Sequence, residues 1–263
     1  PVAADHADHL TRPDPEAHLV QQHASAEGVR DGFQIDQICH VRKATSEDHG
    51  NTPTDIPRHD LLEFWCMGTD YFTGDPRTNR ERMLAGDLYI ADDPENARIA
   101  KRAMRLCHEY HRAVIVDDEG EALALLGQLL GSLGEGAWIR PPLTVDYGEN
   151  IHVGARTFIN NNLTALDVAR ITIGEDCQIG PNVQLLTPTH PVEPQPRRDK
   201  LEAAEPISLG DNVWLGGGVI VCPGVTIGDN SVIGAGSVVT HSLPANVIAV
   251  GNPARILRAI SCS

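Results

Sequence analysis

The residue best suited to chemistry in this 263-residue chain is His190, in the run Thr187-Pro188-Thr189-His190-Pro191. An unperturbed imidazole titrates near pH ~6.5, so near neutrality it can take a proton from a hydroxyl as a general base. Residues 191–206 (PVEPQPRRDKLEAAEP) follow with four prolines, break the repeat around them and must leave the body of the fold as a loop. A histidine at the base of such a loop can face a groove, although position alone supports a structural histidine equally well. Other reactive types offer less. His6, His9, His18, His23, His40, His49 and His59 crowd the polar first sixty residues without the surrounding ligands a metal needs, so no metal site is expected. Cys39, Cys66, Cys107, Cys177, Cys222 and Cys262 show no CxxC spacing and read as small buried hydrophobes or idle thiols.

What must position His190 is a period of six. In register from Tyr147 the chain reads YGENIH, VGARTF, INNNLT; after a two-residue slip, IGEDCQ, IGPNVQ, LLTPTH; and after the interruption LGDNVW, LGGGVI, VCPGVT, IGDNSV, IGAGSV, VTHSLP. Nearly every hexad opens on Ile, Leu or Val, and most continue with Gly. An aliphatic every sixth residue stacks inside a prism with three flat faces per turn, and Gly at the second position is expected to allow the corner between faces. Eighteen residues then make one coil. With 41% hydrophobic but only 4% aromatic residues, aliphatic side chains must fill the core. The fold class expected is mainly β, a left-handed parallel β-helix.

Before the repeat the chain divides into residues 1–72, an extension without assignment, and residues 73–140, a helical cap; the β-helix takes 141–258, and 259–263 form a tail. Within the extension, Leu61, Leu62, Phe64, Trp65, Met67, Tyr71 and Phe72 form an apolar cluster that should dock onto the body or a neighbouring subunit. Two helices are expected in the cap. Asp93 followed by Pro94 opens the first, whose stripe is Ile99, Ala103, Leu106 and Tyr110. Asp118 with Glu121 opens the second, with Ala122, Leu125, Leu126, Leu129, Leu130 and Leu133 as its stripe and Gly131 and Gly134 as its end.

The net charge of −15 would repel a phosphate backbone, which disfavours nucleic acid as a general partner. Neither a long apolar run nor a basic segment with a short apolar one is found, so a membrane span and a signal peptide are not expected, and a cytoplasmic location is.

Several segments together carry a resemblance: MLAGDLY at 83–89, WIRPPLTVDYGENIHVG at 138–154, FINNN at 158–162 with Leu166-Asp167, TPTHP at 187–191, DNVWLGGGVIVCPGVTIGDNSVIGAGSVVT at 211–240 and GNPARIL at 251–257. Over roughly residues 75–258 the chain resembles the maltose, galactoside and nodulation-type sugar O-acetyltransferases. The resemblance implies acetyl transfer from acetyl-CoA to a hydroxyl, with His190 taking the acceptor's proton in a ternary complex and no acyl-enzyme. A thioester is already activated, so a base, alignment and one oxyanion donor suffice. The amide of Gly217 is the candidate donor, though Gly216–Gly218 serve equally well as corner residues. The family's acceptor pocket maps onto Asp146, Asn160, Asp167 and Glu202, with Asp92 or Asp93 joining from the cap. Acetyl-CoA would lie between adjacent prisms, with Trp214 against the pantetheine and Ala235, Thr240, Arg255 and Arg258 towards the nucleotide; Trp214 also suits a subunit contact. His241 stands where the family often has Lys, which weakens the attraction for phosphate, and His111 stands where the cap helix usually has Asn. A homotrimer with sites shared between subunits is implied.

Three other readings compete. A γ-type carbonic anhydrase on this fold needs a second histidine five residues after the first, and residue 195 is Gln. An acetyltransferase for an antibiotic, amino sugar or other specialised metabolite fits the same residues. A non-catalytic assembly protein would use the β-helix only to trimerise and the long N-terminal segment to bind a partner, leaving His190 idle.

Overall fold

The computed structural model describes residues 70–261. All the described residues belong to one compact unit. The extension's histidines, Cys39, Cys66, Cys262 and the apolar residues Leu61–Met67 lie outside the described residues.

The repeat builds a parallel β-helix of three sheets. One face stacks strands 132–133, 151–153, 171–173, 207–209 and 226–227; the second stacks 138–139, 158–159, 178–179, 214–215, 232–233 and 247–250; the third stacks 143–145, 163–166, 184–186, 220–221 and 238–239. A final strand, Arg255–Ala259, pairs antiparallel with Val247–Val250. From Val153 onward the first position of each hexad points inward, and Ile159, Ile179, Leu185, Leu209, Leu215, Val221, Ile227, Ile233 and Val239 are all 2% exposed or less. Each such aliphatic contributes about 1.5–3 kcal/mol relative to exposure, so this ladder is the core.

Three expectations change. Coils do not all take eighteen residues: Leu143 pairs with Leu163, Ile171 with Ile207 and Ser208 with Thr226, so the advance is 20, then 36 across the loop, then 18. Apart from Gly148 at φ 79°, the second-position glycines do not supply the left-handed turn. A Cβ on Gly154 would lie 2.5 Å from the backbone of Gly174, and one on Gly174 2.4 Å from Gly210 O, so glycine is required because coils stack backbone on backbone there. The left-handed turn falls on the fourth position instead, at Asp176, Asn182, Asn212, Gly218, Asn230 and Gly236 among others. The prism also begins earlier than residue 141, since Ser132–Leu133 already pairs parallel with Ile151–Val153.

The cap has three helices. α1, Asn79–Ala85, opens with a capping box of Thr78 and Glu81, a Thr-x-x-Glu signature, and ends on Gly86 at φ 78°. α2, Pro94–Ile115, is capped by Asp93 and buries Ile99, Ala103, Leu106 and Tyr110, as the spacing predicts. α3, Glu119–Leu129, is capped by Asp118 and buries Ala122, Leu125, Leu126 and Leu129. It ends before Gly131 on an extended Leu130. Gly131 and Gly134 are needed for another reason: a Cβ on either would meet the backbone of the next coil at 2.4 and 2.3 Å. Apart from Ile99, the α2 and α3 stripes join the prism core as one cluster, so these two helices pack directly on the prism.

Candidate active site

Residues 191–206 leave the prism, but as a structured strap. A short helix α4, Pro194–Arg198, leads to the strand Leu201–Ala204, which pairs antiparallel with Pro188–Thr189 on one side and with Tyr89–Ile90 of the cap on the other. Glu202, expected on an extruded loop, is thus held opposite Tyr89 in the middle of a three-stranded sheet. Tyr71 donates to Asp199 at 2.6 Å and ties the start of the described chain to the strap.

His190 follows the strand Pro188–Thr189 and is exposed. Its base is locked by Thr187, 0% exposed, whose hydroxyl donates to Leu166 O at 2.7 Å and accepts from Ala169 N at 3.0 Å. Glu202 stands close to His190 and accepts the hydroxyl of Tyr89. Burial raises the Glu202 carboxyl, while His190 and then Tyr89 act in the opposite direction. Tyr89, 1% exposed, keeps its proton because of burial first and the charge of Glu202 second. Asp146 completes the group: burial, then Asp167, then Glu202 push its carboxyl up to about 6. Tyr147 beside it packs on Arg80, 6.0 Å from guanidinium to ring, and Arg80 pairs with Glu149 and donates to Asn96.

Asp167 needs a correction. It is 0% exposed, and its oxygens accept the N–H groups of Asp146 at 3.1 Å, Tyr147 at 2.8 Å and Asn150 at 3.2 Å. It supports the turn that carries Asp146 rather than offering an oxygen to an acceptor. Burial raises its carboxyl even against these bonds. Tyr89, Thr187 and Tyr147 were missed; Tyr89 lay within the MLAGDLY segment, but nothing local marks it as the partner of Glu202.

The remaining candidates stand elsewhere. Asp92 is exposed at a cavity of about 450 Å³ that Tyr147 also lines. Asn160 lies at the corner before the face that ends in Asp146, where its side chain accepts from Asn161 N at 2.8 Å. Gly217 and Ala235 are at that same corner two and three coils on, directly after the strands holding Trp214 and Val232. Trp214 is 56% exposed. The N–H groups of Gly216 and Gly218 donate to Ile233 O and Pro181 O, both at 2.8 Å, whereas that of Gly217 has no acceptor among the described residues. Thr240 and His241 are exposed and bonded to each other at 2.8 Å, and Arg255 and Arg258 are exposed on the last strand. The structure therefore brings His190, Glu202, Asp146 and Asp167 together and leaves Asn160, Trp214, Gly217 and Ala235 at a separate corner. Among the described residues no group of three or more His, Cys, Asp or Glu is arranged to hold a metal ion, and no helix is long and apolar enough to cross a membrane.

Comparison with known proteins adds identity to this geometry. Residues 82–134 match the maltose acetyltransferase hexapeptide capping motif, and residues 206–241 match the bacterial transferase hexapeptide of six repeats. Nodulation protein L of Rhizobium meliloti (strain 1021) is 44% identical over 180 residues, which are 68% of this chain and 98% of that protein. A maltose O-acetyltransferase structure from Clostridium difficile 630 superposes with a TM-score of 0.69 at 42% identity, covering 70% of this chain and 98% of that one. A galactoside acetyltransferase structure in complex with coenzyme A gives a TM-score of 0.66 at 39% identity, over 70% and 92%.

Proposed function

Because this chain belongs to the hexapeptide-repeat acetyltransferases of the maltose, galactoside and nodulation type and is an acetyl-CoA-dependent acyltransferase, we propose that it acetylates a hydroxyl of a sugar or sugar-like acceptor with His190 as general base. The observation that carries this reading is the exposed His190 at the strap's base beside Glu202, whose carboxylate in turn acts on Asp146. His190 takes the proton as the acceptor oxygen attacks the thioester carbonyl. The tetrahedral oxyanion receives the N–H of Gly217, whose lack of another acceptor suits it to this role. The C–S bond then breaks, and the thiolate of coenzyme A takes the proton from the imidazolium. Asp146, Glu202 and Asp92 face the acceptor's hydroxyls, and this wall of carboxylates disfavours anionic acceptors.

The separation of the two residue groups supports a site made by two copies. His190 stands at the corner after one flat face, and Trp214, Gly217 and Ala235 stand at or beside the corner before it. A neighbouring prism that brings its Gly217 corner towards His190 completes three equivalent sites in a homotrimer, with acetyl-CoA in the groove between copies. Thr240, His241, Arg255 and Arg258 then meet the nucleotide end, and Asn160 joins the acceptor pocket. Light scattering should give the mass of three chains.

Thiol release from acetyl-CoA, measured across sugars, amines and alcohols, tests the reaction. A hydroxyl-bearing sugar should support release, and His190→Ala should lower it by about 10²–10⁴. Release that ignores this substitution would sink the proposal.

A further inference from the structure

We propose that Tyr89 is a positioning residue for acetyl transfer: it holds Glu202 in place with its carboxylate turned to His190. This rests on the reading of His190 as the base. The three residues come from three segments and stand in one rung of the strap sheet. Tyr89 pairs with Glu202 across the antiparallel strands Tyr89–Ile90 and Leu201–Ala204. On the other side Pro188 pairs with Ala204 and Thr189 with Ala203, so the same register carried one residue further sets His190 opposite Glu202. Residues opposite one another in an antiparallel pair share a face, with Cβ atoms about 4.5–5.5 Å apart. A phenol, a carboxylate and an imidazole therefore stand side by side.

Burial orders this rung from the core outward. Tyr89 is 1% exposed and packs among Met83, Ile99, Tyr147, Val168 and Ala204, whereas Glu202 is half-buried and His190 is exposed. A ring enclosed by close packing cannot swing away, so its hydroxyl is a fixed point for the carboxylate beside it. Burial first and the charge of Glu202 second keep the Tyr89 proton in place, which makes the phenol the donor and Glu202 the acceptor.

The same hydrogen bond acts on charge. Burial raises the carboxyls of Asp146, Asp167 and Glu202 alike. At Asp146 the acidic neighbours add to the rise, whereas at Glu202 His190 and then Tyr89 oppose it. Arg80, over the Tyr147 ring, is directed to Glu149 and Asn96. A donor from Tyr89 thus favours the ionised form of Glu202. As His190 takes the acceptor's proton it becomes a cation, and a carboxylate fixed opposite stabilises that cation and keeps the ring from turning. The proton passes from the acceptor's oxygen to the imidazole, and neither Tyr89 nor Glu202 gains or loses one.

Thiol release from acetyl-CoA, with galactose, glucose or maltose at high concentration as acceptor, tests this on the intact chain. Tyr89→Phe leaves the ring in its packing, and a thermal melt checks its fold. It should lower kcat about tenfold or more and leave KM for acetyl-CoA unchanged. It should also move the acid side of the kcat profile to higher pH, because Glu202 loses a group that opposes its protonation. A 3-fluorotyrosine at position 89, a stronger donor of nearly the same shape, should move it to lower pH. In the Glu202→Gln background, Tyr89→Phe should lower kcat by less than about twofold further. An acid side that stays in place in both Tyr89 variants, or losses that multiply in the double variant, would overturn the inference. His190→Ala separates the two readings: release that depends on His190 but not on Tyr89 overturns this inference alone, and no release with any of the three sugars counts against both.

Discussion

The carboxylate of Asp167 accepts the backbone N–H of Asp146 at 3.1 Å, so a buried acid holds the backbone that carries a half-buried one. Asp167 holds Tyr147 and Asn150 by the same means, and Asn150 returns a bond from Nδ2 to Asp167 O at 2.7 Å. Asp167→Asn replaces one acceptor oxygen with a donor, leaving at least one of these N–H groups facing an NH₂. The expected loss is about 1–3 kcal/mol in urea unfolding. KM for the acceptor should rise while KM for acetyl-CoA stays the same; a change confined to acetyl-CoA would contradict this placement.

Stability should depend on pH through Asp146. Its folded value of about 6 lies above the unfolded value near ~3.9, so the folded state binds more protons between the two. The contribution is fully present below the unfolded value and is lost as pH rises through about 6. Relative to Asp146→Asn, the parent should therefore lose stability across this window, by at most about 1.4 kcal/mol per pH unit, and level off above it. Urea midpoints at several pH values check this, and a difference that grows in the opposite direction would refute it.

Two glycines should respond differently to the same methyl group. In Gly154→Ala the new Cβ would meet the backbone of Gly174 at 2.5 Å, and neither coil can give way alone. Unfolding should cost about 1–3 kcal/mol less in this variant. In Gly217→Ala the nearest atom is Pro181 O at 3.4 Å, so the melting temperature should barely change. If Gly217 lends its N–H to the oxyanion, kcat should nonetheless fall tenfold or more because the methyl crowds the approaching carbonyl.

His241 offers a test at the cofactor's far end. It is exposed and bonded to Thr240, so His241→Lys should fold normally. The added charge should lower KM for acetyl-CoA severalfold at low salt, and the gain should shrink as ionic strength rises. Unchanged KM at every salt concentration would place the nucleotide phosphates elsewhere.

The capping residues Asp93 and Asp118 and the helical stripes that follow them were legible because N-caps and 3.6-residue spacing act within a few turns of chain. The capping box of Thr78 and Glu81 that opens α1 is equally local. The second-position glycines are legible as a pattern, but the reason for most of them is not. Their cause is the next coil, Gly174 against Gly154, which a single hexad does not contain.

From the amino-acid order alone came the prism, its aliphatic ladder and the ejection of residues 191–206, since each depends on what stands every sixth residue. The tertiary structure alone decided that Glu202 is fixed against Tyr89, that Asp167 supports the site from within, and that His190 and Gly217 occupy different corners. These relations join residues far apart in the chain through strand pairing and coil stacking. A coil's advance of 20, 36 or 18 residues determines which side chains share a level. That advance is settled by which turns the backbone can close and bury, an energy that belongs to the whole stack rather than to any one repeat.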